Sequence, residues 1–284
     1  MEAKNKKRAA AALGMAGAAV LTVAALWNEL TVRQYKVESE KIETPVRLAL
    51  VADLHSVPFG DGQGKLMSVI RLQEPDIVLL TGDIVDNHVA RDGAEQLLRQ
   101  LGREFPSYYV SGNHEVWTGD LEGIKDMIRQ YGVTVLEGGS AIHEVRGQRV
   151  RICGVDDPDR FAEDAKGQDG LPEGWLEQFS QCRGQTGDGV FTLLLSHRPE
   201  LVEVYRDSGF DLVLSGHAHG GLVRLPGLPN GLLAADQGLF PKYTCGRHDL
   251  GATPMIVSRG LSLVRWPRIF NPPEVVIVEL VPAG

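Results

Sequence analysis

Residues 46–86 read VRLALVADLHSVPFGDGQGKLMSVIRLQEPDIVLLTGDIVD. Two short apolar runs, VRLALVA and DIVLLT, are rich in Val, Leu and Ile. They are continuous rather than alternating, as strands covered on both faces should be. A helix-like segment, residues 64–72, lies between them. Strand, helix, strand predicts an α/β fold with a largely buried sheet. Each apolar run ends on an aspartate, Asp53 or Asp83.

The same grammar continues in both directions. YYVSGN, VTVL, VRICGVDD, FTLLLSH, DLVLSGH, PMIVSRG and EVVIVEL are further strand-like runs, most of them closed by Gly, Asp, His or Ser. Helix-like segments are expected at 92–101, 121–130 and 200–206. Residues 184–189 read as a surface loop, and the Gly- and Pro-rich stretch 220–254 as a long active-site loop or flap. Polar side chains follow strand ends: Asp53, Asp83, Asn113, His197 and His217. Open α/β sheets bind ligands outside the carboxyl ends of their strands, so these five strand ends are expected to share one edge.

Towards the N-terminus the composition changes. Lys4, Lys6, Lys7 and Arg8 face a single acid, Glu2, and residues 9–27 contain no charge. As a helix, those residues would be roughly 28 Å long, near the hydrocarbon thickness of a bilayer. The expected organisation is a basic cytoplasmic tail (1–8), a transmembrane anchor (9–27), a polar connector with room for one strand (28–44) and a single domain (45–284). A cleaved signal sequence, cut after Val23-Ala24-Ala25, is the alternative. The anchor is favoured because the apolar stretch exceeds a usual signal core. Either way the domain is expected outside the cytoplasm, on the cell membrane as a single-pass protein or secreted. Residues 29–284 carry 25 basic and 36 acidic residues, a net charge of −11. That balance disfavours general nucleic-acid binding. Cys153, Cys182 and Cys245 have no metal-ligand spacing and read as small core residues.

The chemistry sits in five blocks: Asp53-Leu54-His55, Gly82-Asp83-Ile84-Val85-Asp86, Gly112-Asn113-His114-Glu115, Ser196-His197 and Gly216-His217-Ala218-His219. Carboxylate oxygen and imidazole nitrogen suit divalent first-row metals, and the thiolates of a closed structural zinc site are missing from this set. The order resembles the calcineurin-like metallophosphoesterase signature D-x-H, G-D-x-x-D, G-N-H-E, H, G-H-x-H. GHAHGG, FPKYTCG (240–246), VSRGL (257–261) and NPPEVVIVEL (271–280) extend the resemblance to the membrane-associated bacterial, YkuE/YaeI-like branch. Ala218 and Leu222 depart from that branch, which usually reads G-H-T-H-G-G-Q. The resemblance implies a four-layer α-β-β-α sandwich of two mixed sheets flanked by helices. It also implies two divalent ions, of manganese, iron or zinc. Asp53, His55, Asp83 and His219 would hold one, and Asp83, Asn113, His197 and His217 the other. A metal-bridging hydroxide would attack phosphorus in line, His114 would contact the phosphoryl group and protonate the leaving group, and Asp86 would orient His114.

Other polar residues read more blandly. His88, His143 and His248 match no block, and the acidic run Asp156-Asp157-Pro158-Asp159 reads as a turn cap. Glu115 is as well explained by capping as by chemistry. A phosphoester hydrolase, a phosphodiesterase or a phosphatase, is the expected function. A short connector behind an anchor favours a lipid-linked or envelope substrate. A nuclease and a non-catalytic metal-binding scaffold are the alternatives. The acidic domain weighs against the first and the complete ligand set against the second.

Overall fold

The computed structural model describes residues 14–15, 17–227, 230–262 and 268–284. Helical residues 17–25 (α1) lead to Thr31–Ser39 (β1) and then to Val46–Val51 (β2), Gly64–Leu72 (α2) and Ile77–Thr81 (β3). Asp92–Glu104 (α3), Ser107–Val110 (β4), Asn113–Trp117 (α4), Leu121–Gln130 (α5) and Thr134–Val135 (β5) follow. The second half holds Ser140–Val145 (β6), Gln148–Gly154 (β7), Glu173–Arg183 (α6), Phe191–Leu195 (β8), Val202–Tyr205 (α7) and Leu212–Ser215 (β9). Leu233–Ala234 (β10), Gly238–Leu239 (β11), Gly246–Leu250 (β12), Thr253–Val257 (β13) and Glu274–Pro282 (β14) complete it.

The expected β-α-β unit is present, with Leu48 opposite Ile77 and Val51 opposite Leu80 in a parallel pair. It is the middle of a six-stranded sheet ordered β1-β14-β2-β3-β4-β5. A second six-stranded sheet runs β12-β13-β9-β8-β7-β6. Both are mixed: β14 is antiparallel to β2, and β6 and β12 are antiparallel to β7 and β13.

Side-chain alternation explains the layers. Leu48, Leu50 and Leu79 face Ile152, Leu193, Leu214 and Ile256 in a core between the sheets. Their neighbours Ala49, Val51, Val78 and Leu80 face the other way, onto Leu66 and Ile70 of α2, Leu97 and Leu101 of α3, and Ile124 of α5. Leu194, Val213 and Met255 pack under Trp175 and Phe179 of α6 and Tyr205 of α7. The α-β-β-α sandwich follows, and each central strand is apolar on both faces for this reason.

Several expectations need correction. Most of the presumed connector belongs to the domain: β1 pairs in parallel with β14 over nine residues, from Thr31 opposite Glu274 to Ser39 opposite Pro282. It reads as polar because it is an edge strand, with Val37 its buried residue. The anchor expected at 9–27 falls partly outside the described residues, at 9–13 and 16. Among the described residues, no helix is long and apolar enough to cross a membrane. The flap is shorter than expected, since 246–250 and 253–257 are strands β12 and β13. The helix expected at 200–206 shrinks to Val202–Tyr205. Helix α6 and strand β6 lie where no element was expected.

Candidate metal centre

Five strand ends converge as the sequence implied. β2 leads into Asp53 and His55, β3 into Asp83 and Asp86, and β4 into Asn113 and His114 at the start of α4. β8 leads into His197, and β9 into His217 and His219. The first three belong to one sheet and the last two to the other, so the site straddles the sandwich. Asp53, His55, Asp83, His217 and His219 all adopt left-handed backbone, with φ between 47 and 65°. Such conformations are costly for residues with a Cβ and cluster at functional sites. Close approach also restricts what stands beside them. A Cβ at Gly82 would lie 2.6 Å from Gly112 N and 2.7 Å from His197 Nδ1.

Two groups of donors share Asp83. Ligand atoms of Asp53, His55, Asp83 and His219 lie within 4.8 Å of one another, and so do those of Asp83, His197 and His217. Asp83 Oδ2 is 3.6 Å from His55 Nε2 and 3.2 Å from His197 Nε2. Asn113 Oδ1 joins the second group, 3.2 Å from His197 Nε2. His217 Nδ1 is 3.1 Å from the same nitrogen, and His219 Nε2 is 3.8 Å from Asp53 Oδ1. Two buried atoms of the first group, Asp53 Oδ2 and His55 Nε2, have no hydrogen-bond partner among the described residues. Buried polar atoms are normally satisfied, so atoms left over and converging on one point fit a cation.

The electrostatics agree with that fit. Burial raises the Asp53 carboxyl, with Asp83 adding to it against the pull of His197. Burial acts on Asp83 in the same sense, but His197 and His55 hold it well below the usual carboxylate range. Burial would lower the His197 imidazole, yet Asp83 beside it pushes it up to about 10. His219 is driven well below its ordinary value by burial and by the neighbouring His55. Two buried carboxylates crowded with imidazoles are the arrangement a divalent ion relieves.

Around these donors lie residues that fix them. Asp86 Oδ2 is 2.9 Å from His55 Nδ1 and 3.0 Å from His114 Nδ1, so it touches both imidazoles rather than His114 alone. His197 Nδ1 lies 2.7 Å from the Thr81 carbonyl, which directs its other nitrogen at Asp83. Asp236, in the flap, lies 2.8 Å from His217 Nε2 and is also held by Arg198. Arg198 is clamped in turn by both oxygens of Asp157.

Glu115 is wholly buried and does not face the cluster. Its Oε1 accepts N–H bonds from Ile84 (2.7 Å) and Val85 (2.9 Å), and its Oε2 from Asp83 (2.9 Å) and Gly112 (2.8 Å). Burial and the nearby Asp83 push its carboxyl up to about 7, against the pull of those amides. Among the other acids, Asp157 caps the short turn Pro158–Phe161 as expected, accepting from Asp159 N. Asp156 does not: it is buried 2.8 Å from the fully buried Lys125. Asp236 and Glu115 carried no sequence signal beyond the flap composition and the G-N-H-E block. Arg259, in the VSRGL stretch, lies 3.4 Å from Glu274.

A cavity of about 300 Å³ opens beside His55, His114 and His219, and its far wall is apolar: Leu222, Leu233 and Ala234. A second, more polar opening borders Asp83, Asn113, Trp117 and Arg198. His114 lines both, with its side chain 12% exposed.

Comparison with known proteins bears on this arrangement. A calcineurin-like phosphoesterase family profile matches residues 46–221. An uncharacterized metallophosphoesterase, YkuE, of Bacillus subtilis (strain 168) is 30% identical over 74% of this chain and 70% of its own. Another, of Aquifex aeolicus (strain VF5), is 30% identical over 88% of this chain and 92% of its own. Phosphodiesterase YaeI of Escherichia coli (strain K12) is 26% identical over 84% of this chain and 83% of its own. These relatives are consistent with the YkuE/YaeI-like branch. The solved NAD nucleotidase NadN of Haemophilus influenzae shares the fold, with a TM-score of 0.50 at 16% identity, over 77% of this chain and 46% of that one.

Proposed function

The chain belongs to the calcineurin-like phosphoesterase family, and from that premise we propose that it is a two-metal phosphoester hydrolase. The observation that carries the reading is the pair of donor groups sharing Asp83. Asp53, His55, Asp83 and His219 would hold one divalent ion, and Asp83, Asn113, His197 and His217 the other. Manganese, iron and zinc all suit this O/N set. Such ions, when bound, supply Lewis acidity to a phosphoryl oxygen and an activated water.

The chain's own residues do the rest. His114 stands where the two openings meet, so a phosphoryl group entering from either side reaches it. Burial draws its imidazole below the ordinary value, with His55 adding to the effect, and an anionic phosphoryl oxygen beside it would draw it back up. We assign it contact with that group and protonation of the leaving oxygen. Asp86 orients His114 and His55 together. Gly82 and Gly112 lack side chains, which lets the ends of β3 and β4 close on each other.

YaeI is named a phosphodiesterase, so a phosphodiester is the first substrate class to try. The uncharged stretch 9–27, preceded by Lys4, Lys6, Lys7 and Arg8, supports a domain tethered to the outer face of the cell membrane with a lipid-linked or envelope substrate. The test is metal titration and a phosphomonoester and phosphodiester panel. Two ions should bind, chelation should abolish turnover, and Asp83→Asn should weaken both sites. Full activity with one ion refutes the shared-carboxylate reading.

A further inference from the structure

The apolar wall of the metal-centre cavity is part of a backbone ladder that reaches the N-terminal apolar segment. At its outer edge Phe270 N donates at 2.7 Å to the carbonyl of Ala25, the last of helical residues 17–25. Ile269 bridges Val223 in parallel, and Arg224 bridges Gly231 in antiparallel fashion. Leu232 N donates to Val223 O at 2.8 Å, and Leu233 pairs with Leu239. Residues 270, 223, 232 and 239 thus lie on four successive rungs, with the helix end at Ala25 bonded to the outermost. With strands about 4.8 Å apart, the four rungs span roughly 14 Å.

Both ends of the ladder are apolar and exposed. At one end are Val20, Leu21, Val23, Leu26 and Trp27, each more than half exposed. At the other, the chain leaving β11, at the open end of the β10–β11 hairpin, presents Leu239 (73% exposed) and Phe240 (76%). Water-facing aromatic and aliphatic residues grouped in this way mark an interaction surface. Lys242, exposed two residues beyond Phe240, adds the positive charge that favours anionic headgroups. The inner side of the same ladder carries Leu222 and Leu233, which wall the cavity beside His219. Asn271 Nδ2 ties it to the His219 carbonyl at 2.7 Å.

We propose that the exposed pair Leu239–Phe240 docks into a phospholipid bilayer beside the N-terminal apolar segment, so that the metal centre takes phosphoesters of lipids from the membrane surface. The occupant is a bilayer because this pair is linked through one ladder to an uncharged stretch, residues 9–27, long enough to enter one. The apolar cavity wall would receive the part of the lipid next to its phosphate. This rests on the phosphoesterase reading above and assigns its substrate class.

The full chain, reconstituted in phosphatidylcholine–phosphatidylglycerol vesicles, tests it with two substrates sharing one reactive group. One is a soluble aryl phosphodiester, and the other carries the same ester on a long acyl chain dissolved in the vesicles. The double variant Leu239→Asp/Phe240→Asp should stay within about twofold of the parent on the soluble ester and fall at least about tenfold on the lipid-borne one. Emission from Phe240→Trp, measured against the parent chain, should be quenched by brominated acyl chains. Equal losses on both substrates, no loss on either, or absence of quenching overturns the docking. So does a change of oligomeric state in the double variant, which would make Leu239–Phe240 a contact between copies. Should the parent chain cleave neither ester, the phosphoesterase reading fails, and quenching alone decides the docking.

Discussion

Glu115→Gln separates a carboxylate that builds the site from those that would hold metal. The wild-type side chain is fully buried and accepts four backbone N–H bonds, two on each oxygen. That geometry fits the ionised form, because a protonated oxygen would face N–H donors. A carboxamide keeps one oxygen and turns an NH₂ donor towards the other two amides. Two charge-assisted bonds are lost, each worth about 1.5–3 kcal/mol, or about 3–6 kcal/mol together. For a domain of this size that is a fall of roughly 6–24 °C in melting temperature. Glu115→Ala, which removes all four acceptors, should fall further. The assay is thermal and urea unfolding of the metal-free chain, so that ligand binding does not enter. Because the four amides belong to the loop carrying Asp83 and to Gly112, metal affinity should fall as well. A Gln variant that melts within about 2 °C of the parent refutes the reasoning. Equal effects of Gln and Ala would refute it too.

Four further outcomes follow from the same geometry. Lys125→Met leaves the buried Asp156 carboxylate with Arg160 beside it but removes its bond to Lys125, and urea unfolding should register a loss of about 1.5–3 kcal/mol, with less than about 0.5 kcal/mol counting against it. Burial alone would raise Asp156, but Lys125 and Ser111 hold it below the usual carboxylate range. Its stabilisation is therefore present above the unfolded value near 3.9 and lost as pH falls through the folded one, so Asp156→Asn should flatten the acid limb of the stability profile below about pH 4. Asp236→Asn should weaken metal binding through His217 by about 10–100-fold while sparing the group that includes His55. Calorimetric titration showing two unchanged sites would exclude Asp236 from that role. Asp86→Asn should lower metal content and turnover together, because its Oδ2 reaches both His55 and His114. Full metal occupancy would restrict it to His114.

The central fold and the convergence of the candidate ligands were legible because burial and chemistry leave separable marks. A strand covered on both faces must be an apolar run, and a ligand at its end must be Asp, Asn or His, so VLLTGD carries both signals in six letters. Edge elements leave no such mark. β1 pairs over its whole length yet buries mainly Val37, so TVRQYKVES looks like a linker. Helix α6 was hidden differently, in a stretch flanked by Gly and Pro, although Trp175, Phe179 and Cys182 stand on one face at spacings of four and three. Glu115 and Asp236 act on backbone amides and on the far side of an imidazole, roles that depend on loop paths and not on residue spacing. The anchor remains a matter of sequence alone, since part of it lies outside the described residues.

The left-handed backbone at Asp53, His55, Asp83, His217 and His219 sets the energetic terms of this centre. At about 1–3 kcal/mol each, five such residues cost at least roughly 5 kcal/mol, comparable to the whole stability of many domains. The metal-facing carboxylates themselves help to offset it. Asp53 Oδ1 accepts the His217 N–H at 2.8 Å, and Asp83 Oδ1 accepts the His114 N–H at 2.9 Å. In Asp83 one oxygen fastens the end of another strand and the other is turned to the imidazoles of His55 and His197; in Asp53 the fastening Oδ1 is also the oxygen 3.8 Å from His219 Nε2. Glu115 ties the Asp83 loop to Gly112 in the same manner. The candidate ligands are thus part of the scaffold that positions them. An Asp→Asn change at 83 keeps the fastening oxygen when the amide turns its NH₂ towards the site, whereas Asp→Ala removes fastening and candidate ligand together. Loss of metal with the fold retained in the Asn variant, and loss of both in the Ala variant, is the pattern this dual use requires.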